Sequence, residues 1–207
     1  MHRVRLPIRL VPRKDAQIRP LAHYCVFFVI AVFWIFMARS DEPPTFGLPP
    51  PADPAIQALF PWFGAAFFLV GLVGSASALL KMLPGSPFFH IDLAGDGLTI
   101  RRWVTRRHFS WHGVPAFAPM QVERNVKGGI RIDHYTVAME RDETGVPRDV
   151  LRIAAGEYGA ADAAADATVL SGWLNALRTM ALEGRLTGAV IEVPIAFQPS
   201  MRRMTAR

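Results

Sequence analysis

The chain has 207 residues, 51% of them hydrophobic, a net charge of +6 and a single cysteine, Cys25. One cysteine excludes an intrachain disulfide and a CxxC or Cys/His zinc site. The basic excess is local: Arg3, Arg5, Arg9, Arg13, Lys14 and Arg19 face only Asp15 in the first 20 residues, while from Lys81 onward 16 basic residues stand against 13 acidic ones, so no strongly basic face is left for a nucleic-acid partner.

Residues 1–20, punctuated by Pro7, Pro12 and Pro20, read as a basic cytoplasmic arm. Such an arm is mobile or lies on anionic headgroups, each cation contributing roughly 1 kcal/mol near that surface. Residues 21–80 then read as a transmembrane hairpin. Its spans are 21–38 (LAHYCVFFVIAVFWIFMA) and 59–80 (LFPWFGAAFFLVGLVGSASALL), and neither holds an Asp, Glu, Lys or Arg. A helix needs about 20 such residues to cross ~30 Å of hydrocarbon. Phe27-Phe28-Val29-Ile30 and Phe67-Phe68-Leu69-Val70 leave no polar face, which suits lipid rather than the core of a small soluble protein. A signal peptide would be shorter and would end in small residues, whereas Arg39-Ser40-Asp41-Glu42 follows directly.

Charge sets direction. Six basic residues precede the first span and Lys81 follows the second, so the positive-inside rule places both termini on the cytoplasmic side. The connector, 39–58, carries Pro43, Pro44, Pro49, Pro50, Pro51 and Pro54 and is expected to be extended on the outer side. Gly71/Ser75 and Gly74/Ala78 put small residues four apart on the second span, a face that the first span of the same chain fills better than a second copy does. Cys25 is a packing or lipid-facing residue. Trp62 suits an aromatic belt on the outer side.

Beyond Pro84-Gly85 the pattern alternates. Phe89, Ile91 and Leu93 share one face, with Phe88, His90 and Asp92 on the other. Gly95-Asp96-Gly97 is a turn, after which Leu98 and Ile100 point inward and Thr99 and Arg101 outward, a β-hairpin. Further strands are expected at Arg107–Trp111, Ala116–Glu123, Ile130–Glu140 and Asp149–Ala154, broken at Gly113/Pro115, Lys127-Gly128-Gly129 and Glu143–Pro147. Residues 162–183 form a helix with Val169, Leu170, Trp173, Leu174, Leu177, Met180 and Ala181 on one stripe, and Ser171, Gly172, Asn175, Arg178 and Thr179 opposite. Asp162 caps its start and Gly184 stops it. In the C-terminal extension, 185–207, Ala189–Phe197 is a strand or ordered tail and Met201–Arg207 frays.

The run Ile91-Asp92 to Gly95-Asp96-Gly97-Leu98, the Phe109-Ser110-Trp111-x-x-Val114 step, Leu151-Arg152-Ile153, Tyr158-Gly159 and Leu174-Asn175 together resemble bacterial membrane proteins with a pleckstrin-homology-like domain behind two spans. His112-Gly113 departs from that pattern. The resemblance covers about residues 86–183. It implies an α+β membrane protein: a transmembrane hairpin, then a cytoplasmic domain over 86–184 built as a small antiparallel β-barrel or sandwich capped by a C-terminal helix. It implies no catalytic activity.

Candidate chemistry is sparse. His108 and His112 lie four apart but on a strand, where that spacing does not converge on a metal. Asp133-His134 and Ser110 do not make a nucleophile–base–acid set without geometry, and no G-x-S-x-G, phosphate-cradling loop or H-E-x-x-H is present. No cofactor is expected. The basic group Arg101, Arg102, Arg106 and Arg107 is the candidate contact for lipid phosphate or an acidic partner; against it stands a solvated strand face contributing solubility alone. Trp103 suits an interfacial anchor, while Trp111 and Trp173 are in phase with a core. The expected function is a non-enzymatic, membrane-anchored interaction or scaffold protein, contacting the bilayer and a protein partner or itself. The alternative is a sensor binding a small molecule at the barrel rim.

Overall fold

The computed structural model describes residues 2–39, 54–126, 129–141, 143–144, 146–160 and 162–203. They form two compact units, one from Met1–Ala16 with Leu83–Arg207, the other Gln17–Met82. The first unit is therefore discontinuous in sequence, and the apolar pair of helices is an insertion within it.

The inserted unit consists of α1 (Lys14–Arg39), whose first three residues belong to the other unit, and α2 (Pro54–Met82). The stretches Lys14–Phe33 and Pro61–Met82, with mean hydropathy 1.5 and 2.0, are long and apolar enough to cross a membrane. Both helices begin earlier than the expected spans. For α2 the reason is Pro54 itself: proline at a first helical position loses no hydrogen bond and starts with a helical φ. Connector residues 40–53 lie outside the described residues.

The helices pack through the small residues of α2. A Cβ on Gly71 would come within 2.8 Å of the Phe28 backbone nitrogen, and one on Gly74 would enter the Tyr24 ring, so the glycine face of α2 receives α1 of the same chain. Phe27 stacks on Phe67 at 6.0 Å, and Phe28 tilts against Phe68 at 5.1 Å. Val26, Val29, Phe36, Trp62, Leu69 and Val73 project outward, all more than half exposed.

The other unit is α+β, with three antiparallel sheets. Its strands are β1 (His2–Arg5), β2 (Ile8–Leu10), β3 (Phe89–Leu93), β4 (Gly97–Arg102), β5 (Thr105–Ser110), β6 (Phe117–Val126), β7 (Gly129–Arg141), β8 (Pro147–Ile153), β9 (Val190–Val193) and β10 (Met201–Arg203). The sheet orders are β1-β9, β10-β2-β3-β4-β5 and β6-β7-β8. The expected β3–β4 hairpin forms with Ile91 opposite Ile100 and Leu93 opposite Leu98. Among the described residues the sheets do not close into a barrel: β5 pairs only with β4, β8 only with β7, and residues 111–116 turn the chain from β5 into β6 without a ladder.

Two expectations about the ends are corrected. Residues 1–20 are not a separate arm. Their apolar residues alternate with arginines, so a strand buries one set and solvates the other: Val4, Ile8 and Leu10 are in the core while Arg3, Arg5 and Arg9 point away. Strand β2 sits between β3 and β10 (Leu10 opposite Ile91 and Met201), and β1 pairs with β9. Likewise Met201–Arg203 does not fray, because β2 offers it a partner edge; residues 204–207 lie outside the described residues.

Helix α3 (Ala163–Leu182) covers β6 and β7. The Asp162 carboxylate accepts from the backbone nitrogens of Ala164 (2.9 Å) and Ala165 (3.0 Å), bonds that hold its pKa below the ordinary carboxylate value. Gly184, with φ +69, ends the helix, its N–H donating to the Ala181 carbonyl at 2.9 Å. Leu170, Trp173, Leu174 and Leu177 are buried as expected, but Val169 is 40% exposed and Ser171 is buried. Opposite the apolar stripe, Asn175 and Arg178 also make contacts with the sheet side of the unit. Asn175 accepts from the Phe117 N–H and donates to its carbonyl, both at 2.8 Å, and Arg178 donates to the Val114 carbonyl at 2.8 Å. These side chains satisfy backbone groups at the sheet-free entry to β6. Trp111 and Trp173 are core residues; Trp111 Nε1 donates to the Ala94 carbonyl at 2.9 Å, and Trp173 stacks on Phe197 at 6.2 Å.

Candidate functional site

Alternation along β4 and β5 divides the expected arginine group in two. Arg102 shares the face of Ile100, and in the ladder Ile100 lies opposite Arg107 and Arg102 opposite Thr105. Arg101 and Arg106, themselves a cross-strand pair, take the other face, where the Arg101 guanidinium lies 5.9 Å from the Phe88 ring centroid. The four cations are thus not one patch.

Arg102 and Arg107 face the gap left by the unclosed sheets. Between the free edges of β5 and β8 is a cleft of about 360 Å³, lined by apolar Ile100, Phe109 and Leu151 and by polar Arg102, Arg107, Asp149 and Arg152. Arg102 Nη2 reaches across it and donates to the Arg152 carbonyl at 2.8 Å. Arg152 is held by Asp149 (Nε to Oδ2, 2.9 Å) and lies 5.1 Å over the Tyr135 ring. Three guanidiniums therefore meet one carboxylate, and among the described residues Arg107 has no ion-pair partner. The cleft can take an anion by forked hydrogen bonds from arginine, with its apolar wall excluding water on one side. Sequence reading missed Arg152 and Asp149, because β8 begins 37 positions after β5 ends and only tertiary packing brings the edges together.

A second polar cluster lies on the face of the five-stranded sheet away from its core. His90, on the face opposite Ile91, is 3% exposed: Nδ1 is 2.9 Å from the Ser86 carbonyl and Nε2 is 3.4 Å from Asp92. Arg9 clamps Asp92 with Nε at 2.6 Å and Nη2 at 3.0 Å. Burial pushes the Asp92 pKa up, but the hydrogen bonds and charges of His90 and Arg9 outweigh it and hold the carboxyl below its ordinary value. Thr99 Oγ1 meets His108 Nδ1 at 3.0 Å, and His108 Nε2 lies 3.8 Å from Asp96. Arg9, Asp92 and His90 thus tie β2 to β3, and Thr99, His108 and Asp96 tie β4 to β5 and the turn before β4; both groups are structural in their connections.

The remaining sequence candidates do not converge. His112 lies in the turn after β5, where its N–H donates to the Ser110 hydroxyl at 3.3 Å. Asp133 is held on the β6–β7 hairpin by Arg124 (3.2 Å) and Arg131 (2.9 Å), on a different sheet from Ser110. Among the described residues, no three His, Cys, Asp or Glu side chains are grouped to hold a metal ion. Compared with known proteins, no family model, no curated protein and no solved structure matches the chain.

Proposed function

We propose that the chain is a non-enzymatic, membrane-anchored interaction protein whose α+β unit holds an anionic group in the cleft between β5 and β8. The observation that carries this reading is the convergence of Arg102, Arg107 and Arg152 on a cleft containing one carboxylate, Asp149. The anion is a lipid headgroup phosphate or an acidic segment of a protein partner; both present the oxygens a guanidinium fork matches.

The membrane reading is supported by the outward apolar faces of α1 and α2, which water would not tolerate on this scale. The bacterial inner membrane and cytoplasmic termini rest on the resemblance and on the basic residues flanking the hairpin. A pleckstrin-homology-like reading is supported by the order of the elements: a four-strand meander β2–β5, a three-strand meander β6–β8, then α3 packed on the second. In this reading the hairpin is inserted between the first and second strands of the domain.

The test compares the full-length tagged chain and its Arg107→Glu variant, both purified from membranes in mild detergent. Arg107 makes no bond that the fold needs, so the variant keeps its thermal midpoint. Loss of co-purifying anionic lipid identifies the headgroup, and loss of a captured protein identifies the acidic partner. Retention of both at wild-type levels overturns the proposal. A second reading, a sensor of a small anionic molecule, is favoured by the cleft volume, which lies within the range of small-molecule sites, roughly 300–1,000 Å³.

A further inference from the structure

We propose that the two-residue turn Trp103-Val104, at the tip of the β4–β5 hairpin, docks into the headgroup layer of the anionic bilayer that the chain's own helices cross. This rests on the membrane reading above, but not on the β5–β8 cleft.

Turn chemistry is the first observation. Arg102 lies opposite Thr105 in the ladder, so Trp103 and Val104 alone make the turn, closed by Thr105 Oγ1 donating to the Arg102 carbonyl at 2.6 Å. Two-residue hairpin turns favour Asn and Gly, which adopt positive φ easily. Here Trp103 takes φ +52, a conformation bulky residues rarely adopt, and Val104 is 91% exposed. Burial gives no reason for an isopropyl group at Val104, and the Phe89 contact leaves the Trp103 indole partly in water. Strain accepted at an exposed position points to a use outside the fold.

The chemistry of the tip is the second. Trp103 packs edge-on against Phe89 at 5.8 Å, which fixes the ring yet leaves the residue 39% exposed. Arg101, Arg102, Arg106 and Arg107 flank it on both strands, with no acidic residue between Gly97 and Ser110. An amphipathic aromatic, an exposed aliphatic residue and two arginines on each face of the hairpin match an interface of acyl-chain ends, glycerol and phosphate.

Register supplies the third. Phe89 pairs with Arg102, and Leu10 pairs with Ile91, so the β4–β5 turn shares one end of the sheet with the start of β3 and the exit of β2. The chain leaves that end for α1, which begins at Lys14, and returns to it from α2, which ends at Met82. Only residues 83–88 separate α2 from Phe89, and they are folded into turns, Ser86 N–H donating to Leu83 O at 2.9 Å. Even fully extended, a linker of that size reaches at most about 25 Å. The other end of the sheet, beside Gly95-Asp96, lies one strand length further along, about 17 Å.

The full-length chain in lipid vesicles tests this. Cys25→Ser removes the native thiol, and Val104→Cys then carries a polarity-sensitive fluorophore at a site whose exposure makes the change harmless to folding. Asp96→Cys reports from the opposite end of the sheet. In vesicles of phosphatidylglycerol and phosphatidylcholine, the Val104 probe shifts to the blue and loses about half its emission to spin-labelled lipid, while the Asp96 probe stays water-like and open to iodide. Trp103→Asn, which suits the turn, keeps the fold and at least halves that quenching. A Val104 probe as open to iodide as the Asp96 probe overturns the proposal. A blue shift without lipid quenching overturns it too, since a protein or second copy then covers the tip. Equal quenching in neutral vesicles removes the anionic requirement. Flotation of the chain with vesicles separates the two readings: a chain that floats with an unprotected tip loses only this inference, and one that does not float loses the anchored reading as well.

Discussion

Gly159 illustrates how single residues set this fold. A Cβ there would fall inside the Asp166 carboxylate, which is fully buried on α3. Arg13 Nη1 also donates to the Gly159 carbonyl at 2.5 Å, so the loop cannot retreat without losing that bond. Gly159→Ala is expected to lower stability by about 1–3 kcal/mol, measured by thermal unfolding in detergent. Two tryptophans make a contrast. Trp111→Phe strands the Ala94 carbonyl and is expected to cost about 1–3 kcal/mol in addition to its lost area. At Trp173 the Nε1 is buried without an acceptor among the described residues, so Trp173→Phe gives up no bond there and is expected to be milder. Asp92 adds a pH dependence. Its folded pKa is depressed, so the stability it contributes is present above its unfolded pKa, about 3.9, and is lost as pH falls through the lower folded value. The melting temperature is expected to drop on acidification below about pH 4, and Asp92→Asn is expected to flatten that drop.

At the scale of elements, β2 decides most. It is only three residues long, yet Ile8 and Leu10 are both fully buried and it joins β3 to β10. Leu10→Ala is expected to cost about 2–5 kcal/mol. A fragment beginning at Leu83 lacks β1 and β2, which leaves β3 and β9 with bare edges. It is expected to aggregate or stay unfolded, and adding a peptide of residues 2–12 is expected to restore structure, read by circular dichroism. A fragment that folds alone without the peptide would show that the first unit does not need its N-terminal strands. Much of the element pattern was legible: the hairpin at Gly95–Gly97, the strands to β8, and α3 between Asp162 and Gly184. The N-terminal strands were not. Proline and arginine spacing reads as an arm when no neighbouring strand is in view, and the partners of β1 and β2 lie about 80 to 190 residues away.

At the scale of the molecule, the inserted hairpin constrains topology. Because β2 precedes α1 and β3 follows α2, and the two strands pair directly, both ends of the hairpin must emerge on one side of any membrane it enters. A reporter fused after Arg207 and another before Met1 are expected to give the same sidedness; opposite sidedness would mean that β2 and β3 cannot pair in the cell. The order of folding follows. The β2–β3 pair can close only after residues 11–88 between the two strands have been synthesised.

The sequence by itself determined the two apolar helices, the helix caps and the alternation that makes the strands, because length, charge and periodicity are local properties that neighbours along the chain enforce. Tertiary structure alone decided that the N-terminal strands complete the sheet and that the sheets stay open. It also divided Arg101 and Arg106 from Arg102 and Arg107, and brought Arg152 and Asp149 to the cleft. Strand pairing and edge geometry join residues far apart in the chain, and no local pattern encodes which distant edge each one meets.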